Sequence, residues 1–171
     1  PREYSSAASD VYKRQSMRSI EKGDMISFDT DLIGPYGYCS DISRSWICGT
    51  TPTSEQKRLF EFAREQIEHN ISVLKPGKSF REISEQCWPI PEEFLSNRYS
   101  SLIHGVGLAD EYPNIKHWND FEEKGYDGII EPGMTLCVES FIGSEGGKEG
   151  VKLEEPVSYT HLTLPTSTLV W

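Results

Sequence analysis

The chain has 171 residues, a formal net charge of −10 and a sequence pI near 4.9. This acidic balance disfavours binding to nucleic acid or to an anionic membrane surface. No run of apolar residues is long enough to cross a bilayer, and the length suits one domain with its own core. We therefore expect neither a nucleic-acid partner nor a membrane partner.

Cysteine spacing bears on the cellular compartment. The four cysteines, Cys39, Cys48, Cys87 and Cys137, show no paired CxxC spacing. The N-terminus lacks the charged, apolar and small-residue order of a signal peptide. Both observations favour reduced, buried thiols in a cytoplasmic protein.

Both ends of the chain differ from the segment between them. Residues 1–15 have no clear hydrophobic period, and residues 158–171 alternate only weakly. The two tails resemble translated sequencing-adapter read-through at the ends of metagenomic fragments; natural disordered or edge-strand tails are the alternative. We expect the native segment to span residues 16–157 and exclude both tails from the fold prediction.

The first predicted elements are a hairpin and a long helix. Residues 24–33 and 36–48 read as strands joined by a Gly-Pro-Tyr-Gly turn. Thr53 and Gln56 have the spacing of a capping box and predict a helix from about 54 to 74. Apolar residues recur along that helix at intervals of three and four, which gives it one core-facing side.

The next predicted elements are shorter. Ser79 and Glu82 form a second capping box and open a helix that ends near Cys87. Residues 92–97 suggest one further helical turn, and residues 100–108 suggest a strand that enters a glycine-rich loop.

The last part of the chain predicts a second acidic hairpin. Residues 111–130 read as a long, irregular polar loop. Residues 134–142 and 151–157 then read as two strands around a glycine-rich turn. Helices between two hairpins predict an α+β domain, with helices packed on the outer face of a curved antiparallel sheet.

Three aspartates in the first hairpin point to a metal ion. Asp29 and Asp31 stand two apart in a strand, so both carboxylates face the same side. Asp41 follows on the returning strand. Carboxylates that converge in an apolar sheet repel one another unless a positive charge lies between them. We therefore expect a metal centre here.

Three later residues complete the predicted ligand set: His104, Glu139 and Glu154. Each of the six alone is more often a surface charge or a core histidine, but all lie in apolar strand contexts where an unpaired charge is costly. The set contains no thiolate, which favours Mn²⁺ or Fe²⁺ over a structural zinc. Five carboxylates exceed the need of one ion, so two ions are consistent with the pattern.

The order of these ligands resembles a known superfamily. With the stretches HGVGL, EPGMTLCVES and GVKLEEPV, it is similar to the catalytic domain of the creatinase, aminopeptidase P and methionine aminopeptidase superfamily, whose fold is called pita-bread. The resemblance covers residues 20–157. It implies a dinuclear metal site formed by Asp31 or Asp29, Asp41, His104, Glu139 and Glu154.

Two departures distinguish this chain from the peptidases of that superfamily. The peptidases usually carry one aspartate at a fixed spacing before the second, whereas Asp29 and Asp31 lie twelve and ten residues before Asp41. Prolidase-like peptidases typically read HGxGLxxHExP, and the second histidine contacts the substrate. The segment here is one residue shorter, and Asp110 stands where that histidine would be.

These departures resemble the dimethylsulfoniopropionate (DMSP) lyases of the DddP type, which are built on the same fold. The similar stretches are FDTDLIGPYGYCSDISRSW, KGYDGIIEPGMTLCVESFIG and GVKLEEPV. The resemblance implies that the six ligands hold iron or a similar metal, with manganese, cobalt or zinc also suited to such a set. It further implies that Asp110 is the catalytic base and that Tyr99 lies beside the substrate. Relatives of this kind carry an N-terminal domain, missing here, and tend to form homodimers.

The chemistry of DMSP fits those roles. Cleavage to dimethyl sulfide and acrylate is a β-elimination, which needs a Lewis acid on the carboxylate and a base near the α-carbon. Aromatic faces such as that of Tyr99 suit the sulfonium cation. The ordinary alternatives are a half-buried tyrosine at Tyr99 and, at Asp110, a loop residue that caps its own backbone.

Two other functions compete with the lyase. One is a metallopeptidase that acts on Xaa-Pro or short peptides, and the other is a metal-free binding module. The intact ligand set disfavours the binding module. The doubled aspartate and the aspartate at position 110 disfavour the peptidase.

Overall fold

The computed structural model describes residues 18–158. Both predicted foreign tails lie outside the described residues, except for Ser158, which ends the last strand. The elements of the described part, in chain order, are β1 Met25–Ile33, β2 Cys39–Ile47, α1 Ser54–Val73, α2 Phe80–Gln86, α3 Glu92–Leu95, β3 Ser101–Val106, β4 Asp110–Lys116, α4 Trp118–Lys124, β5 Thr135–Ile142 and β6 Val151–Ser158.

The strands form two antiparallel sheets. β1 and β2 form a two-stranded hairpin, and the other four strands form a sheet in the order β4-β3-β5-β6. The hairpin packs along β6 through serine side chains of β2. Ser43 Oγ donates to Glu154 Oε2 at 2.9 Å, and Ser45 Oγ donates to the carbonyl of Lys152 at 2.8 Å. Both predicted hairpins are therefore present, and they lie side by side.

The two faces of the β5–β6 pair have opposite character. Val138 and Ile142 of β5 lie in the buried core together with Leu59 and Ile67 of α1. Ser140, on the same face, donates to Gln66 of the helix at 2.6 Å. The opposite face carries Cys137, Glu139, Lys152 and Glu154, as the period of two in a strand requires. The helix covers the apolar face and leaves the acidic face for the site.

The long helix forms where its capping signal predicts it. Thr53 accepts from the backbone of Gln56 at 3.2 Å, and the side chain of Gln56 accepts from the backbone of Thr53 at 2.9 Å. Leu74 caps the other end just before Pro76 and Gly77. The second capping box, at Ser79 and Glu82, also forms, so both predictions are confirmed.

The prediction of an irregular loop over residues 111–130 is wrong. This segment contains most of β4 and all of α4. β4 lies at the edge of the sheet, and Ile115 is its one fully buried apolar residue, so the strand shows no apolar alternation in the sequence. The helix is short, and the ring nitrogen of His117 accepts from Asn119 at its start, an unusual cap. The helical turn predicted over 92–97 ends earlier, at Leu95.

Two simpler predictions are also tested here. All four cysteines carry free thiols, but only Cys137 is buried; Cys39, Cys48 and Cys87 are half-buried, so their predicted burial is wrong.

Among the described residues, no helix is both long and apolar enough to span a bilayer.

Candidate metal centre

Strand register brings the predicted ligands together in facing pairs. Asp31 lies directly opposite Asp41 in the first hairpin, and Glu139 lies directly opposite Glu154 in the second. His104 on β3 pairs with Cys137 on β5, beside the two glutamates. The side-chain contacts between β2 and β6 then set the two acidic faces against each other.

A buried cluster surrounds His104. Its Nε2 atom lies 2.9 Å from Glu139 Oε1, 3.1 Å from Glu154 Oε1 and 3.6 Å from Asp41 Oδ2. All four side chains are buried. One imidazole N–H can satisfy only one of three carboxylates at a time, so the cluster has more acceptors than donors.

The pKa values reflect this crowding. Burial and the neighbouring Glu154 raise the pKa of Asp41 to about 8. Burial alone lowers the pKa of His104, but the contacts with Glu139 and Glu154 raise it to about 11. Burial raises the pKa of Glu154, and the nearby His104 and Lys152 outweigh that effect and lower it overall. The cluster therefore attracts positive charge strongly.

The donor set fits a divalent cation. Asp41 Oδ1 is buried without a hydrogen-bond partner, and Glu139 Oε1 has no well-directed hydrogen bond although it lies near His104. The Nδ1 atom of His104 lies 3.2 Å from the carbonyl of Gly105. A proton shared there leaves Nε2 free to bind an ion, which is the usual way in which a backbone carbonyl orients a histidine ligand.

The aspartates of β1 form a more exposed part of the site. Ligand atoms of Asp29, Asp31 and Asp41 lie within 4.8 Å of one another. Burial and the charge of Asp29 raise the pKa of Asp31. The Ser43 hydroxyl lies between Asp29 and Glu154 and can donate to either carboxylate, and 48% of the Asp29 side chain is exposed. The expectation that all six residues lie among apolar side chains is therefore wrong for Asp29 and Asp31, because β1 is an edge strand with a largely exposed surface.

Three residues of the cluster were not predicted from the sequence. Cys137 Sγ lies within 4.8 Å of ligand atoms of the buried cluster, although the predicted set contained no thiol. Glu111 approaches His104 and Glu139 in the same way. Lys152 makes an ion pair with Glu139. Cys137 and Lys152 stand two residues before Glu139 and Glu154, so the strand period would have placed them on the same face. The position of Glu111 depends on β4, a strand that the sequence did not predict.

Asp110 and Tyr99 lie at the rim of the cluster. Asp110 Oδ1 is 3.8 Å from His104 Nδ1, and it also accepts from the backbone N–H of Glu111 at 3.1 Å. Asp110 thus makes the contact with its neighbouring backbone that is expected of an ordinary loop residue, and its carboxylate also lies beside the site. The ring of Tyr99 is partly exposed and has the ammonium of Lys152 over its face, 4.4 Å from the centroid.

An apolar groove elsewhere on the surface is separate from this chemistry. It lies between β2 and α1 and is lined by residues that include Met25, Trp46 and Phe60. None of the predicted ligands, and neither Asp110 nor Tyr99, lines it.

Comparison with known proteins places the chain in a family. Residues 4–161 match the model of Metallopeptidase family M24. The chain belongs to this family. M24 enzymes depend on divalent metal ions, and the buried cluster around His104 is the candidate metal site of this M24 chain.

Two curated relatives and one solved structure illustrate what the chain is similar to. Dimethylsulfoniopropionate lyase DddP of Roseovarius nubinhibens is 44% identical over 144 residues, which cover 84% of this chain and 32% of the relative. Dimethylsulfoniopropionate lyase DddP of Roseobacter denitrificans is 42% identical with the same two coverages. The chain thus spans about a third of the length of these relatives.

The solved structure is the prolidase from Pyrococcus furiosus. It superposes with a TM-score of 0.64 at 28% identity and covers 85% of this chain and 41% of the prolidase. The α+β pita-bread fold predicted from the sequence is confirmed by this likeness and by membership of family M24.

Proposed function

We propose that this chain is the metal-binding part of a lyase that cleaves DMSP to dimethyl sulfide and acrylate by β-elimination. The observation that carries the proposal is the carboxylate of Asp110, which lies beside His104 at the rim of the buried cluster. The names and the 42–44% identity of the two DddP relatives support the same substrate.

The proposed metal ligands are the six predicted side chains. Asp41, His104, Glu139 and Glu154 supply the buried donors, and Asp31 and Asp29 supply donors from β1. We propose two divalent ions, with iron favoured and manganese, cobalt or zinc also suited to the donors. When bound, the metal supplies a Lewis acid for the substrate carboxylate.

Asp110 is the proposed base. Its carboxylate takes the proton from the carbon next to the substrate carboxyl group. The electron pair of that C–H bond becomes the new C=C bond, and the C–S bond breaks with its electrons leaving on dimethyl sulfide. The carboxylate is partly open, with 24% of its side chain exposed, so a substrate can reach it. Tyr99, at the same rim, is the proposed substrate-binding residue.

Removing the base is the direct test of this mechanism. Asp110→Asn is expected to lower DMSP cleavage by at least a hundredfold, since a positioned general base typically contributes that much. Because Asp110 is not a proposed ligand, the metal content should remain that of the unaltered protein. Headspace dimethyl sulfide measures the rate, and elemental analysis measures the metal.

A matched ligand variant separates catalysis from metal binding. Asp41→Ala is expected to lose both metal and activity, because it removes a buried donor whose Oδ1 atom has no other partner. Substantial lyase activity in Asp110→Asn with normal metal content would remove Asp110 from the role of base.

The second candidate is a metallopeptidase that acts on Xaa-Pro peptides. The likeness to the prolidase from Pyrococcus furiosus favours it, because both chains share the fold that holds the cluster. A Xaa-Pro dipeptide incubated with the metal-loaded protein discriminates between the two activities. Peptide cleavage without release of dimethyl sulfide from DMSP would establish the peptidase and end the lyase proposal.

We also propose that the whole protein is a cytoplasmic homodimer. The free thiols of all four cysteines are consistent with a reducing compartment. Light scattering on a full-length protein tests the dimer, and a monomeric mass would contradict it.

A further inference from the structure

Lys152 is a buried cation in the acidic site. It is the one lysine or arginine among the buried side chains of residues 18–158, and only 8% of it is exposed. It stands two residues before Glu154 on β6, so both side chains point to the same face. A buried ammonium persists only where partners compensate its lost hydration.

The partners of Lys152 come from three directions. Its Nζ atom pairs with Glu139 of β5, lies 3.5 Å from Asp29 Oδ2 of β1, and lies 3.9 Å from Glu154 Oε2. The ammonium also lies over the Tyr99 ring, 4.4 Å from its centroid. This distance is well within the range of a cation–π contact.

The two residues before Tyr99 are held by side-chain contacts. Asn97 Nδ2 donates to the carbonyls of Gly143 and Ser144 at 3.2 and 3.0 Å. Arg98 forms a two-pronged ion pair with the buried Asp120 at 2.9 and 2.7 Å. These side-chain contacts anchor the two residues that precede Tyr99, and the ammonium of Lys152 lies over the ring of the tyrosine itself.

We propose that Lys152 is a positioning residue that holds Tyr99 at the rim of the site by its ring face, so that Tyr99 meets a substrate with its hydroxyl group. The statement about the substrate rests on the proposed lyase function. A ring face already occupied by the protein's own ammonium attracts a second cation less, because two like charges on one ring repel each other. With that face occupied, we assign the hydroxyl the role of donating a hydrogen bond to the substrate carboxylate.

The pairing is tested first without any substrate, by thermal unfolding of six proteins, with Tyr, Leu or Phe at position 99 and Lys or Met at position 152, all loaded with the same divalent ion. Tyr99→Leu is expected to lower the melting temperature by a few degrees when Lys152 is present. In the Lys152→Met background the same substitution should change it little, because the cation is gone. Tyr99→Phe, which keeps the ring, is the matched control and should have little effect in either background.

Two further backgrounds keep this test decisive. Lys152→Arg retains the cation, so Tyr99→Leu should again lower the melting temperature there. Lys152→Gln retains a polar partner for Glu139 and replaces Lys152→Met if that protein does not fold. An equal effect of Tyr99→Leu in all backgrounds would overturn the pairing.

Competition with half-substrates tests the role of the hydroxyl. Acrylate carries the carboxylate alone, and trimethylsulfonium carries the cation alone. Tyr99→Phe should weaken inhibition of DMSP cleavage by acrylate roughly tenfold or more, as expected for a hydrogen bond to a charged group, and leave inhibition by trimethylsulfonium unchanged. The opposite result would be that acrylate inhibits Tyr99→Phe as strongly as the unaltered protein, while trimethylsulfonium no longer inhibits Tyr99→Leu. In that case the ring binds the cation, and the proposed role of the hydroxyl is wrong.

The two tests separate this inference from the lyase proposal. If DMSP is not cleaved by the unaltered protein but the coupling in melting temperature is present, the lyase proposal fails and the pairing stands. If DMSP is cleaved and the coupling is absent, the pairing fails and the lyase proposal stands.

Discussion

Within residues 18–158, two histidines are buried, and their surroundings are opposite. His104 faces carboxylates, which raise its pKa to about 11 although burial opposes this. For His117, burial lowers the pKa, and the positive charge of Arg98 lowers it further. Its Nε2 atom has no hydrogen-bond partner. The same residue type is thus suited to bind a cation in one place and to remain neutral in the other.

The second histidine leads to a prediction about pH. Because the folded protein disfavours protonated His117, its contribution to stability is present above the unfolded pKa of about 6.5 and is lost as the pH falls below that value. His117→Asn keeps a side-chain acceptor at the start of α4 but cannot titrate. We expect the melting temperature of the unaltered protein to fall relative to that of His117→Asn between pH 7.5 and pH 5.

The difference between the two proteins is the quantity to follow. Carboxylates elsewhere titrate in both proteins, so their effect largely cancels in the difference. A constant difference in melting temperature across this range would show that His117 is not held neutral by the fold.

The predicted site residues show what a strand pattern can and cannot give. A period of two places Asp29 and Asp31 on one face, and it places Glu139 opposite Glu154 once the hairpin is paired. The period does not show how deeply a strand is buried, so the exposure of β1 could not be predicted from the sequence. It also gives no contacts between chain segments, and the position of Lys152 over Tyr99 depends on such contacts.

Elements differed in how well the sequence predicted them. The helix α1 combines a capping box with a long apolar period, and the two acidic hairpins combine strand patterns with glycine-rich turns. β4 and α4 have neither signal, because an edge strand buries little and a helix of seven residues shows less than two full periods. Such elements depend on the neighbours they pair with, here β3.

The contact between β3 and β4 rests on a glycine. A Cβ atom at Gly105 would lie 2.1 Å from the carbonyl oxygen of Tyr112 and 2.6 Å from Cδ of Pro113. Gly105→Ala must therefore push the strands apart, next to His104 and Asp110. We expect a loss of roughly 1–3 kcal/mol in the free energy of unfolding, as for other overpacked sites, together with weaker metal binding.

A nearby glycine supplies the control. Gly107→Ala places its Cβ where no atom lies within 4 Å, so it should leave stability and metal binding nearly unchanged. Denaturant unfolding and metal titration of both variants make the comparison. Equal behaviour of the two variants would contradict a close approach of the strands at Gly105.

At the scale of the whole molecule, negative charge is concentrated where the two hairpins meet. The described residues include buried carboxylates at Asp41, Glu139 and Glu154, whose mutual repulsion the fold must overcome. Their main balancing groups among these residues are His104 and Lys152. A bound divalent ion would therefore connect β2, β3, β5 and β6 and stabilise the arrangement of both sheets.

Metal removal should consequently lower the stability of the entire fold. A ligand that binds only the folded state at a hundred times its dissociation constant adds about 2.7 kcal/mol to the free energy of unfolding. For a domain of this size that corresponds to roughly 5–10 °C in melting temperature. We expect a chelator to lower the melting temperature by about this amount, and re-addition of the ion to restore it.

Two variants show whether the effect arises at the cluster. Asp41→Ala should respond weakly to chelator or ion, because it lacks a buried donor. Glu61→Gln, on the exposed side of α1, removes a carboxylate that pairs with Arg64 and is not part of the cluster, and it should respond like the unaltered protein. If Asp41→Ala responds as strongly as Glu61→Gln, the stabilising ion binds elsewhere. The two hairpins would then be held together without that ion, by contacts such as the 2.7 Å hydrogen bond from Arg44 to the carbonyl of Glu154.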